Sequence, residues 1–193
     1  VGLAGALGAD RRDQTQAAQP AVFCDRDGVL NRRRPNHVKS VEEFEFLPGV
    51  LLAMRELARL EVPVVVVTNQ SVIGRGLASE AEVERIHARM RQAVLEAGGP
   101  KLHVYVCPHA PQESCECRKP RPGLLLRAAA QLDIDLTRSV FVGDSSTDVC
   151  AALSAGCRPI LVGQDCSSQA FWPDGLVSYA PSLLEALGAI HLE

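Results

Sequence analysis

The stretch Val62-Pro63-Val64-Val65-Val66-Val67 limits the possible folds more than any other. Branching at Cβ suits valine to extended backbone, so five valines in six positions read as a strand. Polar residues do not alternate with the apolar ones, so both faces of the strand must be covered, as in a parallel sheet between layers of helices. The run stops at the polar cluster Thr68-Asn69-Gln70-Ser71. Other apolar runs end in the same way. Ala21 to Asp25 enters an acidic turn, Leu102 to Val106 leads into Cys107-Pro108-His109, and Ser139 to Val142 ends in Gly143-Asp144. Pro159 to Val162 makes a fifth strand.

Between the strands the apolar period changes to that of a helix. Val50, Met54, Leu57 and Leu60 share one face of a helix over Val50 to Leu60. Ser79 and Glu82 form a capping box before a helix that keeps Val83, Ile86, Met90, Val94 and Ala97 on one side. His87 in that helix reads as a surface or packing residue. Pro122 suits the start of a helix over Leu124 to Leu132, Ser145 to Asp148 opens another, and Ser182 with Glu185 caps a last one running toward Ile190. Alternating strands and helices predict a doubly wound, mainly parallel α/β domain, whose ligands bind outside the carboxyl ends of the strands. About 40 residues separate the acidic turn from Thr68, which leaves little room for a large cap domain.

The chain's 193 residues, 47% of them hydrophobic, can bury one core, and we read residues 21–193 as a single domain behind a flexible tail, 1–20. A net charge of −3 argues against nucleic-acid partners, and no run approaches the roughly 18 apolar residues of a membrane span. Val1 to Ala9 is short and has no basic region before it, so a cytoplasmic protein is expected, acting as a monomer on a small molecule. Cys24, Cys150, Cys157 and Cys166 lack ligand spacing and read as small core residues.

Two constellations carry chemistry. The first gathers Asp25, Asp27, Thr68, Lys119, Asp144 and Asp148 from the strand ends. Carboxylates as close as Asp25 and Asp27 need a compensating cation, and a hard ion such as Mg²⁺ takes oxygen ligands. Asp25 and Asp144 could supply side-chain oxygens and Asp27 a backbone carbonyl. Thr68 and Lys119 could position and neutralise the equatorial oxygens of a transferring phosphoryl group. A carboxylate nucleophile can form an aspartyl phosphate, and a second carboxyl two residues on can shuttle the proton. The run Arg32-Arg33-Arg34 is either a solvated face or a contact for an anionic substrate. The second constellation is Cys107, His109, Cys115 and Cys117, a complete tetrahedral set for Zn²⁺. Four protein ligands leave no position for water, so the site is structural.

With Asp25-Arg26-Asp27-Gly28, Thr68, Lys119 and Gly143-Asp144 through Asp148 in this order, the chain resembles the haloacid-dehalogenase (HAD) superfamily. The zinc loop from Cys107 to Pro120 narrows the resemblance to the D-glycero-D-manno-heptose 1,7-bisphosphate 7-phosphatase group and to histidinol-phosphate phosphatase. Phe44 to Gly49, Thr68 to Ser71 and Arg118 to Gly123 tilt it toward the heptose group. The resemblance implies a core without a large cap, Asp25 as nucleophile, Asp27 as general acid and base, and Mg²⁺ on Asp25, Asp27 and Asp144. It also implies a phosphorylated sugar held by Thr68, Asn69, Gln70, Ser71, Arg118 and Lys119. Removal of the C7 phosphate of the heptose bisphosphate is the expected reaction. Histidinol-phosphate hydrolysis and a receiver-like phosphorylation switch are the alternatives. Val72 stands where the group usually has Gly, Ser145 where Lys is common, and Asn36-His37 where Gly-Tyr is typical.

Overall fold

Six strands form one wholly parallel sheet in the computed structural model, which describes residues 18–163 and 172–192. They are β1 (Val22–Cys24), β2 (Val64–Asn69), β3 (Leu102–Cys107), β4 (Val140–Gly143), β5 (Arg158–Val162) and β6 (Ser178–Ala180), in the spatial order β3-β2-β1-β4-β5-β6. Val22 lies in register with Val64 on one side and Val140 on the other, so β1 is central. The helices are α1 (Val50–Ala58), α2 (Glu80–Glu96), α3 (Gly123–Leu132), α4 (Ser146–Ala155) and α5 (Leu183–Ala186).

Alternation along the strands divides the core in two. Val22, Cys24, Val64, Val66, Val140 and Val142 pack against α1, α2 and α5 through Met54, Leu57, Met90, Val94 and Leu183. Phe23, Val65, Val67 and Phe141 face α3 and α4 through Leu124, Leu125, Ala128, Ala151 and Ala152. Helices thus cover both faces, as the valine run requires. No cap domain is inserted among the described residues: 25–49 joins β1 to α1, and 70–79 joins β2 to α2.

The structure corrects several boundaries. β2 begins at Val64 rather than Val62, because Pro63 has no N–H for the ladder; its carbonyl instead accepts from the Val22 amide at 3.0 Å. α1 stops at Ala58, leaving Leu60 exposed beyond the helix. β6 was not anticipated, since three residues of mixed polarity at a sheet edge carry no strand period. The Ser79 capping box is present, whereas the helix after Ser182 has only four residues before a 3-10 turn, Leu187–Ala189. Cys24 and Cys157 are buried and Cys150 half-buried, while Cys166 and residues 1–17 of the expected tail lie outside the described residues. Gln19 bridges to Ile134, so the chain is anchored just before β1. Among the described residues no helix is long and apolar enough to cross a membrane.

Candidate active site

The order of strands reverses at β1 and β4, and the crevice at their carboxyl ends holds the acidic cluster. Asp25 follows β1 directly, and its amide donates to the Val142 carbonyl at 2.9 Å. Asp144 follows β4. Asp148 lies in the first turn of α4, where its Oδ2 accepts from the Asp144 amide at 3.2 Å, the Ser145 amide at 3.1 Å and the Ser145 hydroxyl at 2.6 Å. Carboxylate oxygens of Asp25, Asp144 and Asp148 lie within 4.8 Å of one another.

Lys119 enters this cluster from the loop before α3. Its Nζ, almost wholly buried, lies 2.7 Å from Asp25 Oδ1 and 2.7 Å from Asp148 Oδ1, and donates to the Val67 carbonyl at 2.8 Å. Burial opposes the ammonium charge, but Asp25 and Asp148 outweigh it and raise the Lys119 pKa. Burial raises the Asp25 pKa, with Lys119 opposing. Burial also lifts the Asp144 carboxyl to about 6, opposed by Arg33, whose Nη2 donates to Asp144 Oδ1 at 2.7 Å. Three converging carboxylates against two cations leave an excess of negative charge. An all-oxygen donor set of this kind suits a small hard cation such as Mg²⁺.

Asp27 faces elsewhere. Its carboxylate accepts two bonds from Arg26 Nη2, at 2.8 and 2.7 Å, one from Asn31 Nδ2 at 2.9 Å and one from Gln70 Nε2 at 2.8 Å. Burial pushes its pKa up, but Arg26, Asn31 and Gln70 more than offset this and lower it. Gln70 Nε2 also donates to Thr68 Oγ1 at 2.8 Å, tying the end of β2 to the acidic turn. The Asn69 amide is paired with the Lys119 backbone in both directions at 3.1 Å, so the lysine's loop is pinned to β2. Ser71 is buried beside them, and Val72 packs with Ala78 and Val83 without positive φ.

A cavity of about 490 Å³ opens above Asp27, lined by Arg33, Arg34, Pro35, His37 and Asn69. Two of the three consecutive arginines therefore face the site. Arg32 turns outward to Glu45, with Nε at 3.1 Å, in the solvated role. Arg118 does not join them: its Nη1 donates to the His109 carbonyl at 3.3 Å, and it lines a separate cavity beside the zinc loop.

The four candidate zinc ligands converge. Cys107 Sγ lies 3.5 Å from Cys115 Sγ, Cys115 and Cys117 are 3.4 Å apart, and His109 Nδ1 is 3.2 Å from Cys117 Sγ. Tetrahedral edges about a zinc ion with ordinary bond lengths are about 3.5–3.8 Å, so these residues fit that ion with slight expansion.

Asp25, Asp27, Thr68, Gln70, Lys119 and Asp144, expected at one site from the sequence, lie together at the strand ends. Asp148, gathered with them from the sequence but given no role there, joins Asp25 and Asp144 in the converging trio. Asn31 and the buried Arg26 and His87 were not expected at the site. The single available signal for Arg26 was a charged residue inside an otherwise buried turn.

Residues 116–184 match the model of the HAD-hydrolase-like family. D-glycero-β-D-manno-heptose-1,7-bisphosphate 7-phosphatase of Pseudomonas putida is 45% identical over 141 residues, spanning 73% of this chain and 81% of that protein. The enzyme of the same name from Bordetella bronchiseptica is 40% identical over 158 residues, 80% of this chain and 88% of the relative. A crystal structure of the B. bronchiseptica D,D-heptose 1,7-bisphosphate phosphatase complexed with magnesium and phosphate superposes with a TM-score of 0.83, at 37% identity over 89% of this chain and 97% of that one. The parallel sheet, the strand-end carboxylates and these similarities agree, and the chain belongs to the D-glycero-β-D-manno-heptose-1,7-bisphosphate 7-phosphatase family of HAD-type phosphoric monoester hydrolases.

Proposed function

We propose that the protein removes the C7 phosphate of D-glycero-D-manno-heptose 1,7-bisphosphate through an aspartyl-phosphate intermediate on Asp25. The observation that carries this reading is the Asp25–Lys119–Asp148 arrangement at the sheet's carboxyl edge, with Asp27 at the rim of an arginine-lined cavity. One Asp25 oxygen attacks phosphorus as the bond to the sugar oxygen breaks, and Asp27 gives that oxygen its proton. Asp27 then draws a proton from water, which attacks the acyl phosphate and frees Asp25 and inorganic phosphate. The hydrogen bonds that keep Asp27 ionised suit the second half; in the first half, a phosphate dianion beside it favours the proton.

The Asp25 and Asp144 side chains and the Asp27 carbonyl would hold Mg²⁺, which would supply charge neutralisation at the phosphoryl oxygens. Asp148 anchors Lys119 and the start of α4 rather than serving as nucleophile. Thr68 to Ser71 and Lys119 contact substrate, Lys119 and Thr68 closest to phosphorus, whereas Arg118, expected among them, stays with the zinc loop. Arg34 and His37 face the second phosphate across the cavity. The zinc site stiffens the loop carrying Arg118 and Lys119. We read residues 21–193 as one catalytic domain, acting in the cytoplasm as a monomer. A receiver-like switch needs neither Asp27 nor the zinc loop.

The test is phosphate release by the purified protein with Mg²⁺ from both heptose bisphosphate anomers, histidinol phosphate and fructose bisphosphate. Preference for a heptose bisphosphate supports the reading, and preference for histidinol phosphate overturns the substrate assignment. An Asp25→Asn protein as fast as the parent overturns the nucleophile.

A further inference from the structure

We propose that His87 is a positioning residue: an uncharged imidazole on α2 that holds Arg26, which in turn fixes the Asp27 carboxylate at the rim of the cavity. This inference rests on the proton-transfer role given to Asp27 above.

Arg26 heads the fully buried side chains by size, with no exposed surface. A guanidinium in that position must be paired to be tolerated. Its Nη2 contacts both Asp27 oxygens, and its Nη1 lies 3.1 Å from His87 Nε2. Its Nε has no hydrogen-bond partner among the described residues. Arginine has donors and no acceptor, so His87 Nε2 must accept, and the imidazole is neutral with its proton on Nδ1. Burial, then the nearby Arg26 and Arg91, push the His87 pKa down to about 3, consistent with a neutral ring.

His87 shares the buried face of α2 with Val83, Met90 and Val94, and the helix start is set by the Ser79–Glu82 capping box. The imidazole therefore has little freedom. Asn31 and Gln70 complete the frame around Asp27, and Gln70 also reaches Thr68. Without the His87 acceptor, a second buried guanidinium nitrogen loses its partner and Arg26 must shift or admit water. Asp27 then loses its bidentate clamp. A general acid displaced by about 1 Å loses roughly 100-fold in rate, and the loss falls on esters whose leaving oxygen needs a proton.

The test follows leaving-group release in a single turnover, before the aspartyl phosphate is hydrolysed, with two substrates: the heptose bisphosphate, whose leaving group is a basic alkoxide, and p-nitrophenyl phosphate, whose leaving group needs no proton. His87→Leu is expected to lower this first-step rate on the sugar substrate roughly 10- to 100-fold with the half-saturating concentration nearly unchanged, and on the aryl ester less than about threefold. His87→Gln, whose amide oxygen can accept from Arg26, restores most of the sugar activity. His87→Asn, one methylene shorter, does not. If the leucine protein fails to fold, the glutamine and asparagine proteins carry the same comparison. Equal losses on both substrates, or glutamine no better than asparagine, would overturn the inference. Asp27→Asn sets the reference. Equal losses there sink the acid assignment itself, whereas a selective loss there without one in the His87 variants sinks only the positioning role.

Discussion

Gly28 and Asp144 are packed so closely that a methyl group on Gly28 would stand 1.7 Å from Asp144 Oδ2 and 2.5 Å from its Cγ. Gly28 also has φ +95°, a conformation that side chains rarely adopt. The turn after β1 thus sets where the carboxylate after β4 can lie. Gly28→Ala is expected to displace Asp144 and raise the magnesium concentration for half-maximal phosphate release roughly 10- to 100-fold. An unchanged magnesium titration would show that Asp144 does not hold the ion.

Lys119 is the only cation touching both Asp25 and Asp148 among the described residues. Lys119→Met leaves two buried carboxylates unpaired, and a loss of about 3–5 kcal/mol in a urea titration is expected, with kcat falling at least about 100-fold. A protein of parental stability would mean that the carboxylates find other partners.

Arg34 lines the cavity and has no ion pair in the described structure, unlike Arg32 and Arg33. Arg34→Ala should raise KM for the heptose bisphosphate about tenfold while leaving KM for p-nitrophenyl phosphate within about twofold. Steady-state kinetics on the two substrates decides it. Equal effects would place the second phosphate elsewhere.

His87 makes stability depend on pH in a predictable direction. Its folded pKa, about 3, lies below the ordinary 6.5, so between these values the unfolded chain binds the extra proton. Stability is therefore full above pH 6.5 and falls as pH drops toward 3. Between pH 7 and pH 5 the parent should lose up to about 2 kcal/mol more than His87→Gln in paired denaturant titrations. Equal losses would show that His87 titrates normally.

The zinc loop offers a separate readout. Cys117→Ala removes one of four converging ligands, so metal analysis should find the zinc lost. The melting temperature should also fall. Lys119 lies two residues away but is pinned to β2 through Asn69. Residual activity should therefore survive at low temperature, and complete loss in a still-folded protein would assign the loop more than a supporting role.

What was legible in the sequence is what neighbouring residues decide among themselves. Five valines specify a covered strand, Ser79 and Glu82 specify a helix start, and Cys107 to Cys117 carry a ligand set within one loop. Each rests on backbone preference or on groups a few positions apart, and each is present in the structure. β6 escaped because its pairing with β5, not its own three residues, makes it a strand. Tertiary structure alone decided which charges meet. It placed Asp148 rather than the Asp27 carboxylate beside Asp25 and Asp144, divided the three arginines between solvent and cavity, and put His87 behind Arg26, 61 positions away. Those pairings follow from the order in which strands lie side by side and from which face of α2 is buried, and no local pattern carries that information.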